Sequence, residues 1–194
     1  MIFEGIITTQ TTDGGAHVTP MGFRRHGDML EVAPFRPSQT LDNLLARPHA
    51  VMNLVDDVRI VAGCLTGRRD WPVVAARTVP GWRLAACLCH LELAVAHCAD
   101  DGERPRFRLA IVAEDMHRPF RGFNRAQAAV VEAAILVSRL DFIDPAKLAG
   151  EMAYLHIAVS KTAGDAEREA WQWLVAAIAA HPRHALDPGT LAVA

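Results

Sequence analysis

Pro34-Phe35-Arg36-Pro37-Ser38-Gln39-Thr40 leads into a short helical pattern, Leu41 to Leu45, and sits inside the stretch from Thr19 to Asp57 that decides the fold. A β-like segment ending in Thr19-Pro20-Met21-Gly22 comes before it, and a buried-looking strand, Ala50-Val51-Met52-Asn53-Leu54-Val55, comes after. The loop therefore carries one guanidinium, two hydroxyls and a side-chain amide to a helix start. Backbone N–H groups there, flanked by Ser, Thr and Arg, form a seat for an anion such as a phosphate. The plainer alternative is a turn in which Ser38 or Thr40 caps the helix. The residues alone leave both readings open.

Working outward, Phe3 to Thr9 mixes aromatic and β-branched residues and predicts a strand. Thr12-Asp13-Gly14-Gly15 is a turn cluster, and His17-Val18-Thr19 returns on the far side of a hairpin. Met21 to Arg25 continues extended, His26-Gly27-Asp28 turns, and Met29 to Ala33 is a further short strand. Such spacing points to a β-barrel or sandwich. Asn53 interrupts an apolar strand and needs a partner for its amide, either backbone or ligand. Val58 to Leu65 reads as a strand or a short helix. Trp82 to His97 reads as one long strand, apolar on both parities and so covered on both faces. Asp100 to Glu103 then turns it into a hairpin with Phe107 to Val112.

From Phe123 the period changes to helical. Asn124 with Gln127 resembles an N-cap pair for a helix to about Leu140, and Asp144-Pro145 opens a second to about Val159. Asp165 caps a third, whose apolar face includes Ala170, Trp173, Leu174 and Ile178 and which ends before Pro182. The organisation expected is α+β: a β-rich part over 1–122, a three-helix part over 123–182, and a loose tail over 183–194.

Composition narrows the function. The 194 residues are 51% hydrophobic and 22% charged, ordinary for a globular chain with a sizeable core. A net charge of -2, with only the Arg24-Arg25 and Arg68-Arg69 pairs as basic clusters, argues against nucleic acid. No apolar run approaches the ~20 residues of a membrane span, and Met1-Ile2-Phe3-Glu4 lacks a secretory pattern. Four cysteines without an export signal read as reduced thiols in a cytoplasmic protein.

Catalytic signatures are absent: no nucleophile elbow, no zinc-protease helix, no dinucleotide-binding glycine turn. Cys87-x-Cys89-His90 has the wrong spacing for a zinc knuckle. On a continuous strand, alternation also sends His90 to the face opposite Cys87 and Cys89, so no metal is expected. His49, His117, His181 and His184 read as surface residues. Lys161 reads as a helix C-terminal cation, with a phosphate contact as the alternative.

Several motifs resemble a known family. They are Glu4-Gly5-Ile6-Ile7-Thr8-Thr9, Thr19-Pro20-Met21-Gly22, Pro34-Phe35-x-x-Ser38-x-Thr40-x-x-Asn43-Leu44 and Asn53-x-x-Asp56-Asp57, in that order. Asn124-Arg125-Ala126, Glu132-Ala133-Ala134-Ile135, Ser138-Arg139-Leu140 and Lys161-Thr162 continue the series. From about Phe3 to Ile178 the chain resembles the DUF447-type family of the flavin-reductase-like, FMN-binding split-barrel group. The resemblance implies a split β-barrel with a C-terminal three-helix part, forming a homodimer that holds FMN non-covalently near the subunit interface. By motif position, Arg36, Ser38 and Thr40 would bind the FMN phosphate, with Gln39 near the ribityl chain. Asn53 would lie along the flavin, and the Pro20-Met21-Gly22 bend would offer Met21 and Gly22 backbone groups to the ring edge. Met21, Val51, Met52 and Leu54 would line its apolar slot. Pro37 and Gln39 stand where the family pattern leads one to expect Gly and often Lys. The implied function is hydride or electron transfer through FMN, with NAD(P)H as an electron donor. The alternative is a non-catalytic FMN carrier or sensor. No catalytic side chain is assigned.

Overall fold

The computed structural model describes residues 1–100, 102–184 and 188–193. The chain divides into two compact units: one of 1–56 with 69–120, the other of 57–68 with 121–194.

The first unit is a closed six-stranded barrel in the order β1-β2-β3-β8-β7-β4, so the expected split-barrel class is borne out. The strands are β1 (Phe3–Gln10), β2 (Ala16–His26), β3 (Met29–Val32), β4 (His49–Leu54), β7 (Cys89–Ala99) and β8 (Arg106–Met116). All six pairings are antiparallel. Hairpin turns do the local work: Gly27 between β2 and β3 has a φ of 60°, a conformation that favours glycine. Pro20 falls in the part of β2 that β3 does not reach, so its missing N–H costs no bond on that side. Strand alternation sends Ile7, Leu30, Met52, Leu91, Leu93, Phe107 and Leu109 into one core, which Leu41 and Leu44 of α1 (Gln39–Ala46) complete.

The other face of β1, β4 and β7 is also buried, yet it is polar. Ile6 pairs with Asn53 and Asn53 with His90, while Thr8 pairs with Val51 and Val51 with Glu92. These two rows grip the excursion that holds the small sheet of β5 (Val73–Ala75) and β6 (Trp82–Leu84). Asn53 Oδ1 accepts from Leu84 N at 2.8 Å, and Asn53 Nδ2 donates to the Ile6 carbonyl at 3.0 Å. Thr8 Oγ1 donates toward the Val51 carbonyl at 3.2 Å and toward the Trp82 carbonyl. Glu92, fully buried, accepts from the backbone N–H groups of Arg77, Thr78 and Val79 at 2.8, 2.6 and 2.8 Å. Burial works to raise the Glu92 pKa, but these donors together with His90 hold it below its ordinary value.

One sequence expectation changes here. Trp82 to His97 is not one strand. The chain leaves β6 at Leu84, turns where Ala85 N bonds the Pro72 carbonyl at 2.9 Å, and enters β7 only at Cys89. A run that is apolar on both parities looks continuous, because composition carries no sign of where backbone pairing changes partner. Of the turn before β8, Asp101 lies outside the described residues.

The second unit is helical: α2 (Val58–Leu65), α3 (Arg125–Val137), α4 (Pro145–Thr162) and α5 (Asp165–Ala179). Alanines 126, 129, 133 and 134 of α3 are buried and allow close approach of Trp171, Leu174 and Ile178 from α5 and of Leu148 and Met152 from α4. Caps set the starts. Asp57 accepts from Arg59 N at 3.1 Å, Asn124 from Ala126 N at 2.8 Å, and Asp144 from Lys147 N at 2.9 Å. At α5 the cap falls one residue earlier than expected: Gly164 N–H donates to Glu167 at 3.0 Å, and Asp165 is the first helical residue. The tail is not wholly loose. Pro188–Leu191 forms a 3-10 turn, and the Leu191 carbonyl accepts from Trp171 Nε1 at 3.0 Å. His184, expected at the surface, is buried with Nε2 at 2.8 Å from the Leu140 carbonyl.

Replacing Asn53 with Ala strands the buried Leu84 N–H and should cost about 1–3 kcal/mol in denaturant unfolding. Hydrogen exchange at the Leu84 amide should accelerate in parallel. Unchanged stability and exchange would show that Asn53 does not hold the excursion.

Candidate functional site

The loop from Ala33 to Ser38 is fixed from several sides before α1 begins. Arg36 N–H donates to the Glu103 carbonyl at 2.8 Å, and Arg104 donates to the Ala33 carbonyl at 3.0 Å. The Arg104 guanidinium also lies 4.1 Å above the Phe35 ring. The Arg36–Pro37 peptide is cis. Ser38 is extended and caps the helix, its Oγ accepting from Leu41 N at 3.2 Å. The plainer reading of Ser38 is thus present, and it does not exclude the other. A helix start has four N–H groups without intrahelical acceptors, and one side chain satisfies only part of them.

Arg36 is exposed and pairs with Asp100 at 3.0 Å through one guanidinium nitrogen. This contact holds the Asp100 carboxyl below its usual value. A guanidinium has five N–H donors, so one carboxylate leaves capacity for a second anion. Gln39 Nε2 donates to Asn43 Oδ1 at 2.8 Å, and Asn43 Nδ2 donates to Thr9 Oγ1 at 2.9 Å. That chain locks α1 onto β1. Thr40 is buried, 3% exposed, in the first turn of α1. Arg36, Ser38, Gln39 and Thr40 are therefore gathered at the mouth of a short helix. The set brings together backbone donors, one positive charge and two hydroxyls, of which that of Thr40 is buried, and an anionic phosphate calls for such donors.

The other sequence candidates are placed differently. Met21 and Gly22 are half-buried on β2, paired with Gly5 and Glu4. A Cβ built on Gly5 would stand 2.8 Å from Met52 Sδ, so the Met52 side chain packs over the bare backbone of Gly5. Asn53 is completely buried and both ends of its amide are engaged within the protein, which gives it a structural role in holding β6. The four residues expected to line one apolar slot do not share a face. Met52 belongs to the barrel core, Met21 and Leu54 pack at its margin, and Val51 points with Thr8 and Glu92 to the opposite side. The period of two in a strand enforces that division.

Sequence reading missed Glu92, His90 and His117 as a group. His90 lies between Glu92 (Nε2 to Oε1, 3.3 Å) and His117 (Nδ1 to Nε2, 2.8 Å). Histidine and glutamate two apart on a strand share a face, which was readable. Their meeting with His117 depends on β7–β8 pairing and was not.

Comparison with known proteins agrees with this architecture. Two family models, both described as protein of unknown function (DUF447), match the chain: the N-terminal domain over residues 3–118 and the C-terminal domain over 124–176. A search of curated proteins gives no match. Among solved structures, the FMN-bound protein MM1853 from Methanosarcina mazei, itself a DUF447 protein, is 19% identical with a TM-score of 0.78, covering 91% of this chain and 94% of that one. The styrene monooxygenase flavin reductase SMOB from Pseudomonas putida S12 is 12% identical with a TM-score of 0.51, covering 61% and 83%. The NADH:FAD oxidoreductase SgcE6 from Streptomyces globisporus C-1027 is 10% identical with a TM-score of 0.51, covering 60% and 72%. At these identities the likeness is one of fold.

The cap assignment has its own check. Ser38→Ala should lower stability by about 1 kcal/mol in urea, while Ser38→Asp should recover most of it. Equal stability of the alanine variant and the parent would show that the hydroxyl does not cap α1.

Proposed function

The chain belongs to the DUF447 family, and on that footing we propose that it is a flavoprotein that binds FMN non-covalently and transfers hydride or electrons through it. The observation that carries this reading is the likeness, across 91% of the chain, to an FMN-bound member of the same family. The donor set fits the group: a dianionic phosphate calls for positive charge and N–H donors, and the loop before α1 supplies both. When bound, FMN supplies hydride and single-electron chemistry at its ring.

The roles of the chain's own residues follow from their chemistry. Arg36 is the cation for the phosphate and shares its guanidinium with Asp100. Ser38 and Thr40 contribute hydroxyls and first-turn N–H groups, and Gln39 lies one position from each. Met21 and Gly22 on β2 offer strand backbone to the ring edge. Asn53 leaves the ligand shell and acts on the strand it holds. Hydride transfer needs orientation and exclusion of water more than an acid or base, in keeping with a site that has no triad.

The electron donor proposed is a reduced nicotinamide, a reading supported by the shared fold with an NADH:FAD oxidoreductase. A homodimer is proposed as well. Val112 and Met116 of β8 are large apolar residues 44% and 78% exposed, and Ile2 and Phe3 are also exposed. The cytoplasm is the proposed compartment, and no helix among the described residues is long and apolar enough to cross a membrane. A carrier or sensor would use the same site without turnover.

Removal of the phosphate contacts tests the site. The double variant Arg36→Ala/Thr40→Ala should bind FMN at least about 10-fold more weakly, since one charge-assisted hydrogen bond is worth roughly 1.5–3 kcal/mol. Its affinity for riboflavin, which has no phosphate, should match the parent's. Undiminished FMN affinity would remove this loop from the site, and a parent that binds neither flavin would end the flavoprotein reading.

A further inference from the structure

The cluster of Cys87, His90 and His117 lies apart from the loop before α1, and the functional reading above makes no use of it. We propose that these three side chains form a binding site for a d-block dication of the Zn2+ class, with one coordination position open to solvent. The site is independent of the flavin reading.

The ligand atoms of the three residues all lie within 4.8 Å of one another. A tetrahedral ion bound by sulfur at about 2.3 Å and nitrogen at about 2.0 Å has edges of roughly 3.3–3.7 Å. The two imidazole nitrogens, 2.8 Å apart, open to that edge on binding, and any pair near the 4.8 Å limit closes to it. One thiol and two imidazoles are the donor types that such an ion selects.

The fold explains how they converge. Alternation would separate Cys87 from His90 on a continuous strand, but β7 begins at Cys89 and Cys87 belongs to the preceding turn. The turn folds Cys87 into the interior, where its thiol contacts the Leu84 carbonyl at 3.2 Å. His117 follows β8, whose last residue Met116 pairs with Cys89, and His117 N donates to the Leu88 carbonyl at 2.7 Å. Chain ends on both sides of one hairpin thus meet at His90.

The protonation pattern is set for a metal. An ionised carboxylate only accepts, so Glu92 takes the proton-bearing Nε2 of His90 and leaves Nδ1, in the neutral ring, as a lone pair. That lone pair faces His117 Nε2 at 2.8 Å, where it accepts the only proton between the two rings. A dication would take both nitrogens, the His117 proton passing through solvent to the Nδ1 of the same ring, which stays neutral. Carboxylate–histidine–metal arrangements orient a ligand in just this manner. Glu92 is itself held rigidly by three backbone N–H groups.

Access and charge are compatible. Cys87 and His90 are 0% and 2% exposed, whereas His117 is exposed and provides the entry side and the open position. Burial pushes the Cys87 thiol above its ordinary value, against the smaller opposite pull of Arg83 and Arg118, so ligation releases the thiol proton to solvent. Arg118 is paired with Asp56 at 3.3 Å, and Arg83 donates to the Leu84 carbonyl at 3.0 Å. A Cys87 thiolate and the Glu92 carboxylate then balance the two charges of the ion.

Cobalt titration of the purified protein, in its flavin-bearing form, tests this. Tetrahedral Co2+ absorbs in the red, where oxidised flavin is transparent. The expected result is saturation at one equivalent, with absorption lost on adding Zn2+ in competition. Cys87→Ser and His117→Ala should each abolish the band, while Cys64→Ser should retain it. Glu92→Gln should weaken binding about 10–100-fold, as outer-shell partners do. His117 is exposed, so its variant reports on ligation even if Cys87→Ser fails to fold. No saturable tetrahedral band in the parent, or a band that survives His117→Ala, would overturn the site.

Discussion

A buried row of polar side chains on the outer face of β1, β4 and β7 is the constraint on which the barrel unit depends. Outward-facing positions of a barrel are ordinarily wet, and Thr8, Asn53, His90 and Glu92 would then be unremarkable. Here they are 0–2% exposed, because the excursion from Val73 to Leu84 covers Thr8, Asn53 and Glu92 and His117 stacks on His90. Burial of polar groups costs free energy unless each finds a partner, and the backbone of the excursion provides it. Short β5 and β6 could not hold a two-stranded sheet in place alone. Glu92, Asn53 and Thr8 bind its backbone at 77–79, 84 and 82, which substitutes for the missing hydrophobic area.

The same row divides the molecule's chemistry. On the inner side, the apolar residues of β1, β4 and β7 meet Leu41 and Leu44, which seats α1 and fixes its N-terminus. The Gln39–Asn43–Thr9 chain ties that helix to the neighbouring strand. On the outer side, His90 is held against His117 by Glu92. One strand pair, β4 and β7, therefore supports the start of α1 through its inner residues and a histidine pair through its outer ones.

Local signals made much of the fold legible. The hairpins at Gly14 and Gly27, the N-caps at Asn124 and Asp144, and Pro145 at the first helical position all depend on neighbours within a few residues. The order of motifs made the family legible too. The long strand expected from Trp82 to His97 fails because its break at Ala85–Leu88 answers to distant residues: Pro72, Leu54 and His117. The helix start at Ser38 could be read because capping residues and a short apolar pattern adjoin in sequence, and the anion seat placed there is a proposal. The partners of Asn53 and the meeting of Cys87 with His117 come from strand register, which a single chain's pattern does not display. Val51 and Met52 are both apolar, but alternation along β4 sends them to opposite faces, so one slot does not take both.

A flavin bound by this chain is the central claim, and the visible absorption spectrum of the protein as purified tests it most directly. The account predicts oxidised-flavin bands, present on purification or restored by added FMN, that bleach under anaerobic NADH or NADPH. Bands that persist with either nicotinamide would contradict the proposed donor and leave the carrier role. A colourless protein that stays colourless in FMN would contradict the flavoprotein account itself.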